Sequence, residues 1–345
     1  MARRWRVGLP LLVVVLGLAE LAAAAPPAAR PTGSKWRGAT RDSRRRNRIL
    51  RRPVQVEIGR PRDMPALGGA RTSRALARIR AARPEAQPAQ LESGFARYRA
   101  VTRRVRGASR ENPGALRVSR AGSAAGLSIL RVDLVGDRPV VGRRPRVLIV
   151  GGMHAGNETV GVETATRFIE AAARDGDLRN QFDITVVPLA NPTALVLGTR
   201  ENADQVDANR SFADGKWTAE SLAIRAIGED FDLVIDLHGA GSRGRNGCFL
   251  ISGGDGGNLP ARALSAMESG ALMDPPGGEI GPYRFDQLGG AVSVNPGTLT
   301  GWFSRLGTRH SYTLEAPLRL TPNRQVRGML KLLRSTLFNV SRHGG

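Results

Sequence analysis

Three short runs of apolar residues, at positions 146–150, 184–189 and 231–237, alternate with longer amphipathic segments along the chain. Each run is rich in Val, Ile and Leu, which is typical of a strand buried on both faces of a sheet. In the segment 162–172 apolar residues recur every three or four positions, which predicts a helix between the first two strands. Strands that alternate with helices favour a layered α/β fold.

The same patterns predict further elements on both sides of these strands. Strands are expected at 128–135, 249–252 and 311–315, and helices at 95–105 and 326–333. The chain has 345 residues, of which 41% are hydrophobic, so it can bury a sizeable core.

The net charge of +22 is concentrated at one end of the chain. Residues 1–120 carry 28 Lys and Arg against 7 Asp and Glu, whereas the remainder is nearly neutral. The high isoelectric point therefore describes an N-terminal extension and its surroundings. A nucleic-acid-binding protein would combine a basic face with aromatic residues in its folded part. Aromatic residues make up only 5% of the chain, so no specific nucleic acid is expected as a partner.

The first 25 residues have the layout of a secretory signal peptide. Arg3, Arg4 and Arg6 form a positive start, an apolar stretch follows at 7–18, and small residues at 22–25 precede a proline. The apolar stretch is too short for a comfortable membrane span. We therefore expect the protein to be secreted or periplasmic; an uncleaved N-terminal anchor is the alternative.

Residues 26–90 are expected to form a disordered basic linker, because they are rich in Arg, Pro, Ala and Gly and poor in aromatic residues. A dense arginine run at 44–52 could tether the protein to an anionic surface, such as a cell-wall polymer or lipid head groups. The alternative is a solvated arm without a partner. Residues 91–341 are expected to form the folded domain. Cys248 is the only cysteine, so no intramolecular disulfide stabilises that domain.

Two histidines, His154 and His238, lie where buried strands open onto glycine-rich loops. Ligands of α/β sheets bind at strand ends, so both residues are placed where a site would form. Glu158 follows His154 by four residues, at the junction of this loop with a predicted helix. Two His and one Glu are a standard ligand set for catalytic zinc, which keeps a fourth position open. Taken alone, the His-x-x-x-Glu spacing is a weak signal, and a glutamate at a helix N-terminus with an incidental histidine is the alternative. Together with the residues described below, the spacing predicts a zinc site.

Two acidic residues are candidates for roles beside this metal. Asp236 precedes His238 by two residues on one strand, so both side chains point to the same face and Asp236 could hold the imidazole. Glu315 lies in the strand-like run SYTLEAP, where a carboxylate is unexpected without a role. Beside a metal it could activate water and then protonate a leaving amine. A structural salt bridge is the alternative for Glu315.

A polar stretch at 199–212 contains Arg200, Asn209 and Arg210. The planar guanidinium of arginine can grip a carboxylate or stabilise an oxyanion. Alone, this stretch would be read as an ordinary charged loop. Next to a metal pair, it favours contact with a substrate.

Taken together, four sequence blocks resemble the zinc carboxypeptidase superfamily, peptidase M14, which includes the succinylglutamate desuccinylases and aspartoacylases. In chain order they read GGMHAGNETVG, NPTALVLGTRENADQVDANRSF, VIDLHGAG and YTLEAP. The resemblance covers residues 91–341. It implies a mixed, mostly parallel eight-stranded sheet between helix layers, and a catalytic domain that hydrolyses an amide bond next to a free carboxylate.

The resemblance also implies a role for each candidate residue. It implies Zn²⁺ held by His154, Glu158 and His238. The remaining roles are Arg200 polarising the scissile carbonyl, Asn209 and Arg210 gripping the free carboxylate of the substrate, and Glu315 acting as general base.

One departure from the family concerns the first block. The family spacing is His-x-x-Glu, but here one residue is extra, and Ala155 is interpreted as an insertion in the loop. By count Asn157 takes the place of the ligand, but an amide oxygen is a poor zinc ligand. The ligand is therefore assigned to Glu158.

Several functions remain open at this point. The first is a secreted metallocarboxypeptidase acting on peptides, including cell-wall peptides. The second is a deacylase cutting an N-acyl amino acid. The third is a binding module that kept the fold and lost its metal through the extra residue. A nucleic-acid-binding protein ranks last, because most of the charge is assigned to the arm.

Overall fold

A computed structural model of the chain describes residues 70–139, 142–213, 215–240, 247–253, 259–265, 267, 279–280, 283–284, 290–292 and 295–343. The signal peptide and most of the basic linker expected from the sequence lie outside these residues. Within the described part of the chain, no helix combines the length and the apolar character needed to cross a membrane.

Helices and strands alternate over much of the described chain. The helices are α1 (Ala70–Ala82), α2 (Pro88–Glu111), α3 (Thr159–Ala172), α4 (Gly176–Gln181), α5 (Pro192–Leu197), α6 (Ala219–Arg225), α7 (Leu259–Ser265), α8 (Leu299–Arg305) and α9 (Pro322–His343). The strands are β1 (Leu116–Ala124), β2 (Leu127–Leu134), β3 (Arg146–Gly151), β4 (Asp183–Val187), β5 (Leu233–Ala240), β6 (Phe249–Ser252), β7 (Glu279–Ile280), β8 (Tyr283–Arg284), β9 (Gly290–Val292) and β10 (His310–Pro317).

Eight of these described strands form one mixed sheet, in the order β1-β2-β4-β3-β5-β10-β6-β9. The pairs β4–β3, β3–β5, β5–β10 and β6–β9 are parallel, whereas β1–β2, β2–β4 and β10–β6 are antiparallel. The predicted α/β fold, with a mixed and mostly parallel sheet between helix layers, is confirmed.

Alternate side chains of the central strands pack against different helix layers. Val147 of β3 lies in a buried cluster with Phe168 of α3, whereas its neighbour Leu148 lies in a second cluster with Phe212. Because successive residues of a strand point to opposite faces, a strand covered on both faces must be apolar throughout. This explains why Val, Ile and Leu dominate β3, β4 and β5.

The folded region begins earlier than the sequence analysis placed it, so the linker 26–90 was assigned too far along the chain. Helix α1 buries Ala75 and Ile79, four residues apart, against Phe95 of α2 and Leu127 of β2. The composition of this segment hid the helix, because its apolar stripe is narrow and its other positions are largely Arg and Ala. An amphipathic helix of this kind is stable only through its tertiary contacts.

The topology brings the ends of three parallel strands together. β3, β5 and β10 are adjacent and run in the same direction, so their carboxyl ends lie at one edge of the sheet. His154 follows β3, His238 lies near the end of β5, and Glu315 lies near the end of β10. Ligands of α/β proteins bind at this edge of the sheet.

Candidate metal centre and active-site cleft

A tight loop between β3 and α3 presents His154 and Glu158 to the same point. Gly152 turns the chain at the end of β3 with a φ of 74°, a conformation that favours glycine. The backbone N–H of Glu158 then donates to the carbonyl oxygen of His154 at 2.9 Å, which closes one turn before the helix begins. A side chain at Gly156 would meet the backbone of Thr199, so the close approach of these two loops requires glycine.

The loop accommodates the extra residue that the sequence analysis identified. The side chain of Ala155 is fully buried beside Val162, Leu189 and Leu195. Asn157 is exposed to solvent, whereas Glu158 is buried and points into the site. The extra residue is therefore taken up by packing, and the geometry agrees with assigning the metal ligand to Glu158.

The three candidate metal ligands form one buried cluster. One ligand atom from each of His154, Glu158 and His238 lies within 4.8 Å of the others. The Nδ1 atom of His154 lies 3.1 Å from Oε1 of Glu158, and the Nδ1 atom of His238 lies 2.8 Å from Oε2. Both imidazoles thus direct Nδ1 toward the same carboxylate.

The opposite nitrogen of each ring is held by an aspartate. The Nε2 atom of His154 lies 2.8 Å from Oδ1 of Asp207, and the Nε2 atom of His238 lies 2.7 Å from Oδ2 of Asp236. An Nε2–H donating to a carboxylate fixes the tautomer in which Nδ1 carries the lone pair a metal needs. The role expected for Asp236 agrees with this contact. The sequence analysis missed Asp207, although it precedes Asn209 by two residues in a block already singled out.

Glu315 lies beside the cluster, in register with His238 across the parallel pair β10–β5. Its Oε2 atom is buried and has no hydrogen-bond partner. Burial raises the pKa of Glu315 to about 8, the charges of Glu158 and Asp236 act in the same direction, and the charge of His238 opposes them. No salt bridge joins Glu315 to another described residue, so the alternative of a structural ion pair is not supported.

Two arginines lie at the mouth of the site. Arg200 donates from Nη1 to Glu158 Oε1 and from Nε to Asp207 Oδ2, each at 3.0 Å. Arg210 is exposed and donates from Nη1 to the backbone carbonyl of Asn209 at 2.8 Å. Arg200 is therefore fixed beside a candidate metal ligand, whereas Arg210 reaches into the cleft from a solvent-accessible position.

Asn209 is more restricted than the sequence analysis expected. Its Oδ1 atom accepts the backbone N–H of Leu299 at 2.9 Å, which fixes the orientation of the amide. Its Nδ2 atom lies 3.1 Å from Asp236 Oδ2 and 3.0 Å from His238 Nε2. The side chain is buried, so its visible contacts position His238 and its aspartate.

All seven predicted site residues line one cleft of about 260 Å³. The described lining residues are His154, Glu158, Arg200, Asn209, Arg210, His238, Gly239, Ala240, Phe249, Ile251, Thr298, Thr300, Thr313 and Glu315. Cys248 lies outside this lining, and burial raises its pKa to about 12, so the thiol is unreactive.

The donor set fits a divalent cation. His154 Nδ1 and Glu315 Oε2 are buried atoms without a hydrogen-bond partner, and both belong to residues that line the cleft. Burial lowers the pKa of His238, but Asp236 and Glu158 outweigh burial and raise it well above its ordinary value. The site therefore favours a positive charge between its carboxylates. Two His and one Glu match the ligand preference of catalytic zinc.

Comparison with known proteins gives two matches by sequence. Residues 143–274 match the family model described as the succinylglutamate desuccinylase/aspartoacylase catalytic domain. A stretch of 103 residues is 36% identical to murein peptide amidase A from Vibrio campbellii, and it covers 29% of this chain and 38% of that protein. The predicted resemblance to the zinc carboxypeptidase superfamily is confirmed.

Solved structures of carboxypeptidases share the fold at low sequence identity. A metallo-carboxypeptidase from Burkholderia cenocepacia aligns with a TM-score of 0.55 and 18% identity, over 70% of this chain and 68% of that one. Carboxypeptidase A from Helicoverpa armigera aligns with a TM-score of 0.54 and 17% identity, over 69% and 72% of the two chains. At this identity the likeness establishes the fold, and the chemistry must be argued from the site.

Proposed function

We propose that this protein is a zinc-dependent hydrolase that cleaves an amide bond next to a free carboxylate, with peptides of the cell wall as its substrates. One observation carries the proposal: the buried cluster of His154, Glu158 and His238 has Glu315 in register beside it and opens into the cleft. A structural metal site would be closed, whereas a catalytic one keeps an open position. The Burkholderia metallo-carboxypeptidase and the Helicoverpa carboxypeptidase A share this fold, which makes a metallopeptidase the first candidate.

Zinc bound by this cluster would polarise the scissile carbonyl and lower the pKa of a water molecule. Glu315 would accept a proton from the attacking water and deliver it to the leaving amine nitrogen. A carboxyl group whose pKa its surroundings raise above the ordinary value is suited to both tasks, because it must take up the proton and then release it. The raised pKa of Glu315 follows from the same burial that places it beside the cluster.

The arginines would supply positive charge at two places along the substrate. Arg200, fixed through Nε by Asp207, would donate to the oxygen of the scissile carbonyl as negative charge develops there. Arg210, exposed at the cleft, would pair with the free carboxylate of the substrate. Asn209 would support binding indirectly, because its amide is engaged by Asp236 and Leu299.

Two observations bear on the substrate. The relative in Vibrio campbellii is described as a murein peptide amidase, which supports a cell-wall peptide. The matching family model is described as a desuccinylase and aspartoacylase domain, which supports an N-acyl amino acid as the second candidate. Secretion, supported by the N-terminal sequence, would place the protein where murein peptides occur. A binding module without metal is disfavoured, because the extra Ala155 is accommodated.

Metal analysis and hydrolysis assays on the same preparation test this proposal. The wild type is expected to carry about one zinc per chain. It should release an amine from a murein peptide faster than from succinylglutamate. Glu315→Gln should keep the zinc and the melting temperature but lose roughly 10²–10⁴-fold in turnover. Full turnover in that variant, or a zinc-free wild type, would refute the mechanism; faster cleavage of succinylglutamate would favour the deacylase.

A further inference from the structure

A straight row of arginines lies on the folded domain, in the last three turns of helix α2. Arg99, Arg103, Arg106 and Arg110 follow one another at intervals of four, three and four residues. This spacing puts them on one face of the helix, in a row about 16 Å long at 1.5 Å per residue. We call these four residues the arginine stripe. Three of them are exposed and Arg99 is half-buried.

The arginine stripe has no partner within the described part of the chain. No hydrogen bond or ion pair joins any of its four guanidinium groups to a described residue. Arg104, on another side of the same helix, behaves differently: it forms ion pairs with Glu163 and Glu170 of α3, and these pairs raise its pKa. Arg104 therefore holds helix α2 against α3, whereas the arginine stripe makes no contact that stabilises the described part of the fold.

The residues beside the stripe are small. Five of the residues that flank it on the helix are small: Ala96, Ala100, Thr102, Gly107 and Ser109. Small neighbours leave room for an extended ligand beside the three exposed arginines, Arg103, Arg106 and Arg110. An acidic residue bounds the stripe on its N-terminal side, since Glu92 lies about 10 Å before Arg99 along the helix.

The row of like charges destabilises the helix, and the stripe forms no contact with another described residue that would offset this. Like charges at i and i+4 on a helix are destabilising. An external anion would remove this cost by neutralising the row. The helix exposes no large apolar side chain, because the exposed large hydrophobics among the described residues lie at Val206, Leu222, Leu306 and Phe338. Insertion into a membrane and stacking on nucleobases both need such side chains.

We propose that the arginine stripe docks a single extended phosphodiester polymer, whose successive phosphates lie along α2. The arginine fork matches the oxygens of a phosphate, and a row of four favours a linear polyanion over a compact one. Docking on the stripe needs neither the cleft nor the metal, so it goes beyond the hydrolase activity proposed above. It would hold the enzyme on an anionic polymer while the cleft remains free for a peptide.

The test measures binding of the full chain to a linear poly(glycerol phosphate), a single-stranded phosphodiester polymer, as a function of salt. Each charge contact with a flexible single strand contributes about −0.7 to the slope of log affinity against log salt concentration. The variant Arg103→Gln/Arg106→Gln should therefore make the slope shallower by about 1.4 and weaken binding at low salt. Hydrolysis of a small substrate by the cleft should not change.

Helix α9 supplies a matched control. Arg324 and Arg327 are also exposed, three residues apart, and without a partner among the described residues. The variant Arg324→Gln/Arg327→Gln removes the same charge and keeps the same N-terminal arginine run. It should retain the wild-type slope. Equal losses in the two variants would overturn the proposal, because net charge alone would explain them. The proposal would also be overturned if the stripe variant lost affinity only for phosphatidylglycerol vesicles or only for duplex DNA.

Discussion

Glu315 and His238 are paired in register on neighbouring parallel strands, so backbone hydrogen bonds fix the proposed general base relative to one of the proposed metal ligands. The next residues of β10 point to the opposite face of the sheet. A shift of the register by one residue would therefore remove Glu315 from the cleft altogether. The relative position of Glu315 and His238 is thus a property of the sheet, and it does not depend on a loop.

The assignment of the metal ligand after His154 gives the first prediction. Glu158→Gln should lower zinc affinity by more than the roughly 10–100-fold typical of residues that only support a ligand, because it replaces a carboxylate of the cluster by an amide. Asn157→Ala is the control, since Asn157 occupies the family's position by count but is exposed. Titration with a competing chelator measures both. Zinc loss in Asn157→Ala with retention in Glu158→Gln would reverse the assignment.

His154 and His238 could be brought to one place from the sequence because each lies at or near the end of a strand that can be recognised by itself. β3 and β5 are rich in Val, Ile and Leu, and the residues after or near their ends are the ones that the sheet brings together. The order of the strands fixes which ends meet, and a parallel sheet leaves few alternatives. His154, His238 and Glu315 could therefore be placed in one site from the amino-acid sequence alone.

The supporting contacts could not be predicted in the same way. Asp207 reaches His154 from a loop more than fifty residues away, and no periodic pattern marks it. Asn209 is bound by the backbone of Leu299, ninety residues later, in a contact set by how α8 packs. Helix α1 was not predicted, because its segment is rich in Arg and Ala and only two of its side chains, Ala75 and Ile79, are buried apolar ones. These are tertiary effects, and local sequence does not contain them.

The different surroundings of Asn209 and Arg210 give a second prediction. Arg210→Ala should raise KM for a substrate with a free carboxylate and leave kcat nearly unchanged, because it removes binding that is equal in ground and transition states. The KM for a substrate with an amidated C-terminus should be the same in the variant and in the wild type. Asn209→Ala should instead weaken zinc binding by about 10–100-fold, because it releases Asp236 and His238. If Asn209→Ala raised KM alone and kept the zinc, its role would be the substrate contact expected from the sequence.

The third prediction uses Glu315 in protein freed of metal by a chelator. Burial raises the pKa of its carboxyl from 4.5 to about 8. Between these values the folded protein holds a proton that the unfolded chain has lost, so folding takes up a proton. The free energy of unfolding should then fall as pH rises through this window, by at most about 1.4 kcal/mol per pH unit for one proton. The raised pKa of His238 acts in the same direction above its ordinary value of 6.5.

Melting temperatures of the metal-free protein between about pH 5 and about pH 8 measure this effect. The wild type should lose stability as pH rises, and Glu315→Gln should lose less, because a neutral amide has no proton to give up. Glu92→Gln, at an exposed position, controls for the loss of one carboxylate and should behave like the wild type. Zinc should weaken the pH dependence, since a cation in the cluster stabilises the ionised carboxylate that burial disfavours. An equal pH dependence in Glu315→Gln and in the wild type would show that Glu315 ionises at its ordinary pKa, and that burial does not prepare it to act as a base near neutral pH.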